Sequence, residues 1–115
     1  MSFIPYGRQD ISQGDIDAVV DVLQSDFLTQ GPAVERFERV IADYCRVSCV
    51  TAVNSATSAL HIACLALDIG PKDTVWTSPI TFVASANCAL YCGAEVDFVD
   101  IDFDTNNMSP IALRL

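Results

Sequence analysis

Basic residues are scarce in this chain. Its 115 residues include six Lys and Arg against fifteen Asp and Glu, which gives a formal net charge of −9. Nucleic acids and anionic membranes are bound through basic patches, so this composition argues against both as partners. The chain is 51% hydrophobic, which is enough to build the core of one ordinary domain and excludes a disordered chain.

Long apolar runs are also missing. The longest ones fall well short of the roughly 18 residues that a membrane-spanning helix requires. The first residues lack the basic and then apolar pattern of a secretory signal peptide. We therefore expect a cytoplasmic protein that has no membrane partner.

Histidine and cysteine provide little material for a metal or triad site. The five thiols are Cys45, Cys49, Cys64, Cys88 and Cys92. Their odd number and apolar surroundings indicate reduced thiols and not a disulfide framework. Two pairs repeat a three-residue gap, but structural zinc pairs are usually spaced more tightly or combined with His, so we expect no metal. The single His61 lies inside a predicted helix, and no Ser/His/Asp or Cys/His triad can be assembled.

The most informative stretch runs from residue 50 to residue 67. Residues 50–53 have the pattern of a short buried strand, and apolar residues recur at helical spacing from Leu60, so a strand gives way to a helix near Asn54. Only small side chains lie between them, with the sequence NSATS, so the first-turn amides and two or three hydroxyls stay open. Such N–H groups, at the positive end of the helix dipole, suit a phosphate. The alternative is that Asn54 or Ser55 merely caps a core helix.

Two helices are predicted before this stretch. The first begins at Ser12 with a capping box to Asp15 and ends near Ser25, and the second begins at Pro32. Each has one apolar face that we expect to be buried. These faces consist of Ile16, Val19, Val20 and Leu23 in the first helix and of Val34, Phe37, Val40, Ile41 and Tyr44 in the second.

The segment after residue 67 alternates between strands and helices. The pattern predicts strands at residues 74–78 and 95–100, a helix at about 81–91 that Gly93 ends, and the start of another helix at Ser109 and Pro110. With the strand at residues 49–53, this order implies right-handed parallel crossovers and an α/β fold of three mainly parallel strands with flanking helices. The first strand–helix turn lacks the glycine fingerprint of a Rossmann site and a Walker lysine.

Three segments resemble the DegT/DnrJ/EryC1/StrS family of sugar aminotransferases, which depend on pyridoxal 5'-phosphate (PLP). They are residues 50–67, residues 77–87 (TSPITFVASAN) and residues 96–102 (VDFVDID). The resemblance covers nearly the whole chain. It implies the N-terminal part of the PLP-dependent transferase large domain, the aspartate aminotransferase-like fold type I. It divides the chain into an N-terminal helix with a substrate loop, residues 1–31, and an incomplete PLP-binding large domain, residues 32–115.

The resemblance also assigns site residues. Thr57 with the amides of Ala56 and Ser58 would hold the cofactor phosphate, and Phe82 would stack on the ring, unless Phe82 is a core residue. The loop LTQGP at residues 28–32 matches the loop that lies against substrate and cofactor in the family homodimer, although a simple helix connector would have similar spacing. The substrate contacts carried over are Tyr6, Asp26, Phe27, Leu28 and Thr29.

Residues 28–31 and 54–60 are most similar to family members of the pseudaminic acid pathway. Those members aminate C4 of a UDP-linked 4-keto-6-deoxy-N-acetyl-hexose, with L-glutamate as the amino donor. Family members carry the Schiff-base lysine well downstream, whereas the only lysine here, Lys72, lies in a polar turn. We therefore predict that this fragment alone is inactive. The alternatives are a PLP-dependent sugar dehydratase of the same family and a non-catalytic truncated product or phosphate-binding or oligomerisation module.

The resemblance has a further consequence for stability. In the family sheet, the neighbours of the first strand come from later parts of the chain. Residues 49–53 should then lack strand partners, and unpaired buried backbone groups cost roughly 1–3 kcal/mol each. We expect the isolated chain to be marginally stable, to expose apolar sheet edges and to aggregate.

Overall fold

The structure, a computed structural model, describes residue 5 and residues 7–114, so the predicted substrate contact Tyr6 lies outside the described residues. The chain divides into two compact units, one through Ala52 and one from Val53. The second helix groups with the first in the unit through Ala52. The division of a longer protein at residues 31 and 32 stays a prediction.

The first unit contains α1 (Gln13–Leu23) and α2 (Pro32–Cys45). The predicted capping box of α1 is present: the Asp15 amide donates to Ser12 Oγ at 3.3 Å, and the Ser12 amide donates to Asp15 Oδ2 at 2.8 Å. Helix α2 starts at Pro32 as predicted, because proline needs no donor at the first helical position. It ends at Cys45, and its C-cap Arg46 has a left-handed φ of 56°.

The apolar faces of α1 and α2 are exposed, so the prediction that they are buried is wrong for this structure. Neither helix has a buried residue. Val19 is 60% exposed, Phe37 55% and Tyr44 86%. An amphipathic pattern identifies the face that avoids water but not the surface that covers it, and the described residues do not cover these faces.

The second unit contains α3 (Ala56–Ala66), β1 (Thr74–Thr77), α4 (Ala84–Tyr91) and β2 (Glu95–Phe98), followed by a 3₁₀ turn at Ala112–Arg114. Strands β1 and β2 are parallel, with Thr74 opposite Glu95 and Thr77 opposite Phe98. Helix α4 forms the crossover and packs on both strands and on α3. The fold is therefore α/β with a small parallel sheet, as predicted.

Residues 49–53 do not form the predicted first strand, and the described sheet has two strands. A strand exists only when a neighbouring backbone bonds to it. Among the described residues, the one hydrogen bond from this segment's backbone is that of the Ala52 amide to Glu38 Oε1, at 2.8 Å. The local sequence therefore favoured a strand for which the described chain supplies no partner.

Small side chains form the core of the second unit. The buried apolar residues are Cys64, Ala84, Cys88, Ala89, Ala94 and Val99. Large apolar side chains of this unit lie at the surface: Trp76 is 54% exposed and Phe98 is 56% exposed. Small residues let α3 and α4 approach closely, but they bury little apolar area, and apolar area is the main source of folding free energy.

The ends of α4 differ in how well they were predicted. The helix begins at Ala84 and not at Thr81, because the Ser85 amide donates to Phe82 O at 3.0 Å in a tighter turn before the helix proper. Its C-terminal end matches the prediction. Gly93 has a φ of 77°, and the Ala94 amide donates to Ala89 O at 3.1 Å, which is a Schellman arrangement.

Turns follow β2, which ends at Phe98, two residues earlier than predicted. Asp102 Oδ1 accepts hydrogen bonds from the amides of Asp104 and Thr105, both at 3.0 Å. The Thr105 amide and hydroxyl are the main reason that the pKa of Asp102 is lowered. Ser109 caps the final 3₁₀ turn by accepting from the Ala112 amide at 3.3 Å.

Within residues 7–114 no helix combines the length and the apolar character that a bilayer crossing requires.

Replacing Gly93 by Ala should destabilise the second unit by roughly 1–2 kcal/mol, since an L residue is strained at this left-handed φ. Its Cβ would meet Pro71 Cγ at 3.4 Å, an ordinary van der Waals contact, so the loss comes from the backbone. Urea unfolding followed by circular dichroism measures the change. The control is Gly14→Ala in α1, where the nearest atom to a new Cβ is Ser12 Oγ at 3.6 Å. That control should be neutral or slightly stabilising, and equal losses for both variants would contradict the left-handed cap.

Protonation of Asp15 should weaken the start of α1. The Ser12 amide and then the Ser12 hydroxyl hold the pKa of Asp15 below its ordinary value of 3.8. A lowered pKa in the folded state adds stability above the unfolded-state pKa, and this stability is lost as the pH falls through the folded-state pKa. NMR titration of the Asp15 carboxyl should therefore give a pKa below 3.8. The Ser12→Ala variant should raise it, whereas Ser25→Ala at the other end of α1 should not.

Candidate functional site

The first turn of α3 is built from small polar residues at the surface. Ser55 is the N-cap, and its Oγ accepts a hydrogen bond from the Ser58 amide at 3.2 Å. The Ser58 hydroxyl donates to Asn54 Oδ1 at 2.9 Å. Ser55 therefore caps the helix, which is one of the two roles that the sequence left open for this turn. This cap uses only one of the first-turn amides.

Two amides of this turn stay open. The amides of Ala56 and Thr57 have no hydrogen-bond acceptor among the described residues. They lie at the start of an 11-residue helix, whose dipole is positive at this end. Thr57 is half-buried and Ala56 is exposed. The side-chain hydrogen bonds found in this turn are made by Asn54, Ser55 and Ser58, and none is made by the Thr57 hydroxyl. The turn therefore offers two N–H donors and one hydroxyl to an anion.

Phe82 lies in the turn that precedes α4. It is 72% exposed, so it is not a core residue of the second unit. The Thr81 and Ser85 hydroxyls are 3.0 Å apart and brace this turn. An exposed aromatic ring at a braced turn is available to stack on a planar ligand.

The fold brings the starts of α3 and α4 to the same edge of the sheet. A link of three residues, 92–94, joins the end of α4 to β2. The turn after α3 lies beside this link, since a Cβ on Gly93 would meet Pro71 Cγ at 3.4 Å and the Glu95 amide donates to Asp73 O at 2.9 Å. Both helices therefore end at the amino edge of the strands and begin at the carboxyl edge. Ligands of parallel α/β sheets bind at the carboxyl edge.

Lys72 lies in the turn between α3 and β1 and is exposed. The same geometry puts this turn at the amino edge of the sheet, one helix length away from the first turn of α3. An 11-residue helix is about 16 Å long, which is more than a lysine side chain can reach. Lys72 is therefore remote from the open amides.

The predicted substrate loop belongs to the first unit. The Phe27 amide donates to Ser25 Oγ at 3.3 Å, and Ser25 Oγ donates to Val22 O at 2.8 Å, so the loop folds back on the end of α1. Gly31 is required here because a Cβ would lie 2.7 Å from Phe27 Cβ. Phe27 and Leu28 are 56% and 66% exposed, and Asp26 and Thr29 are also exposed.

This loop closes one end of a cleft between α1 and α2. The cleft has a volume of about 240 Å³ and is lined by Ala18, Asp21, Val22, Ser25, Phe27, Pro32, Ala33 and Arg36. Sequence reasoning missed Arg36, which provides a positive charge beside the loop. The available signal was its position one helical turn after Pro32, on the side of α2 that faces the loop.

Metal ligation has no support in the described part of the chain. No group of three or more His, Cys, Asp or Glu side chains among residues 7–114 is arranged so that it could hold a metal ion. The open groups at α3 are two N–H donors and one hydroxyl, and the N–H donors favour an anion.

Comparison with known proteins gives a consistent picture. The profile of the DegT/DnrJ/EryC1/StrS aminotransferase family matches residues 9–114. A UDP-4-amino-4,6-dideoxy-N-acetyl-beta-L-altrosamine transaminase from Campylobacter jejuni is 48% identical over 103 residues, which cover 90% of this chain and 27% of the relative. The spore coat polysaccharide biosynthesis protein SpsC of Bacillus subtilis is 41% identical over 112 residues, 97% of this chain and 29% of the relative.

Solved structures agree with these relatives. Spr1654 from Streptococcus pneumoniae, in its PLP-form, superposes with a TM-score of 0.88 at 35% identity over 96% of this chain and 28% of that chain. Helicobacter pylori PseC, an aminotransferase involved in the biosynthesis of pseudaminic acid, gives 0.87 at 33% identity over 96% of this chain and 30% of that chain. The chain thus spans less than a third of the length of the relatives that it matches.

Proposed function

Because the chain belongs to the DegT/DnrJ/EryC1/StrS aminotransferase family, we propose that the full-length polypeptide that carries it is a PLP-dependent aminotransferase of nucleotide sugars. The observation that carries the proposal is the pair of open amides at Ala56 and Thr57, at the carboxyl edge of a parallel sheet. A full-length protein of this kind would contain the division at residues 31 and 32 that the sequence predicts.

The cofactor-binding residues act through complementary charge. The Ala56 and Thr57 amides and the Thr57 hydroxyl would donate to the phosphate, which is a dianion near neutral pH. The Ser58 amide already donates to Ser55 Oγ at 3.2 Å, so a phosphate oxygen would share this proton or replace the hydroxyl. Phe82 would cover one face of the cofactor ring. The cofactor itself supplies the electron sink for transamination.

The proposed substrate is a UDP-linked 4-keto-6-deoxy-N-acetyl-hexose of pseudaminic acid biosynthesis, aminated at C4 with L-glutamate as the donor. Its support is the similarity to the altrosamine transaminase of C. jejuni and to PseC of H. pylori. Tyr6, Asp26, Phe27, Leu28 and Thr29 are the proposed substrate contacts in a cytoplasmic homodimer. Since the chain carries a net charge of −9, the diphosphate needs a local cation, and Arg36 in the cleft beside the loop can provide it.

The 115-residue chain by itself should not transaminate. Transamination needs a lysine that reaches the cofactor carbon, and Lys72 lies at the opposite edge of the sheet from the open amides. The chain can provide the phosphate site and one wall of the ring site. The lysine has to come from elsewhere in the full-length polypeptide.

Replacing Thr57 by Val should weaken PLP binding by the full-length polypeptide about tenfold to 150-fold, because a hydrogen bond to a charged group contributes about 1.5–3 kcal/mol. Titration with PLP, followed by fluorescence quenching, measures the dissociation constant. Thr57→Ser keeps the hydroxyl and should bind nearly as well as the natural chain. Thr74→Val, at the amino edge of β1, should have no effect. Unchanged affinity in Thr57→Val would exclude this hydroxyl from the phosphate site.

The substrate assignment is tested with the full-length polypeptide, L-glutamate and UDP-linked 4-keto-6-deoxy-N-acetyl-hexose. Adding glutamate should bleach the visible absorbance of bound PLP, and adding the keto-sugar should restore it and yield the C4 amine by mass spectrometry. Loss of a hydroxyl from the sugar without amination would indicate the dehydratase alternative. A full-length protein that binds PLP but responds to neither compound would contradict the proposed reaction.

A further inference from the structure

Three of the five cysteines lie together where α3 packs on α4. Cys64 and Cys88 are buried, 7% and 5% exposed, and Cys92 is half-buried at the C-cap of α4. The rings of His61 and Tyr91 meet edge to face, with centroids 5.3 Å apart, and fix which turns of the two helices face each other. Residues 61–64 of α3 therefore face residues 88–92 of α4.

The three thiols differ in reactivity. Burial raises the pKa of Cys64 to about 11, and the adjacent thiols of Cys88 and Cys92 add to this effect. Cys64 is therefore protonated near neutral pH and is a poor first nucleophile, because the thiolate is the reactive form. Cys88 Sγ is buried and donates to Ser85 O at 3.4 Å. Cys92 is thus the member that an oxidant in solution reaches first.

We propose that Cys92 and Cys64 form a peroxide-sensitive dithiol that closes into a disulfide between α3 and α4. In the first step the Cys92 thiolate attacks hydrogen peroxide, the O–O bond breaks, and a sulfenic acid and hydroxide form. In the second step the sulfur of Cys64 displaces the sulfenic hydroxyl, which leaves as water when it takes up the Cys64 proton. Overall, two thiols and one peroxide give one disulfide and two waters.

Helices α3 and α4 pack directly on each other. A disulfide needs Cα atoms about 4.4–6.8 Å apart, which requires two helix backbones to approach closely. The buried residues of α4 are Ala84, Cys88 and Ala89, all of them small. Metal binding is the other chemistry open to a thiol cluster, but no group among residues 7–114 is arranged so that it could hold a metal ion.

The experiment treats the native full-length polypeptide with hydrogen peroxide, blocks the remaining thiols with N-ethylmaleimide and maps disulfides by mass spectrometry without reduction. A peptide pair joined through Cys64 and Cys92 is expected. It should persist in the double variant Cys45→Ser, Cys49→Ser, which lacks the two exposed thiols of the first unit. Cys92→Ala cannot form this bond and, since it removes the accessible nucleophile, should also leave Cys64 reduced at the same peroxide dose.

A second variant gives a gain of signal, which loss of folding alone does not explain. Cys64→Ala keeps a small apolar side chain and removes the resolving thiol, so the Cys92 sulfenic acid should accumulate and be trapped by dimedone several times more than in the natural protein. Circular dichroism confirms that the variant is folded. The proposal is overturned if native protein gives no bond between Cys64 and Cys92 while Cys45 and Cys49 are oxidised. It is equally overturned if the bond forms only after denaturation.

Discussion

The first N–H groups of an α-helix have no carbonyl acceptor within the helix. In α3 the rest of the described chain supplies an acceptor for only some of them. Ser55 satisfies the Ser58 amide, and the amides of Ala56 and Thr57 stay open. The surrounding side chains are too small to cover them. The cofactor assignment depends on these unbonded N–H groups, because an anion is the simplest acceptor for several converging donors.

The rest of the second unit places this turn at the edge of the sheet where ligands bind. Helices α3 and α4 run in the same direction, since the turn after α3 contacts Gly93 beyond the end of α4. Their starting turns therefore share the carboxyl edge of β1 and β2. The left-handed Gly93 makes this possible, because it turns the chain from α4 into β2 within three residues. The net charge of −9 does not attract anions, so these local donors have to do so.

Features set by neighbours in the sequence were predictable. The capping box at Ser12, the start of α2 at Pro32 and the glycine after α4 each depend on a few adjacent residues, and all three are present. Features that need a distant partner were not predictable from the local pattern, although the family resemblance did predict that residues 49–53 lack strand partners. Residues 49–53 have strand composition but no strand to pair with in the described chain, and the apolar face around Phe37 has no covering surface there.

Within the site, the open turn itself was predictable from the run of small residues between Val53 and Leu60. The bond that occupies the Ser58 amide was not, since the sequence does not say whether Ser55 or a ligand is its acceptor. Phe82 was expected inside a helix but lies before it, because the turn at Ser85 tightens first. Arg36 had no motif around it, and only the folded loop brings it to the cleft.

The central claim is that the open amides at the start of α3 hold the phosphate of PLP. A crystal structure of the full-length polypeptide with PLP tests it most directly. We predict a phosphate oxygen about 3 Å from the amide nitrogens of Ala56 and Thr57 and from the Thr57 hydroxyl. A cofactor whose phosphate lies elsewhere, with these amides bonded only to water, would contradict it.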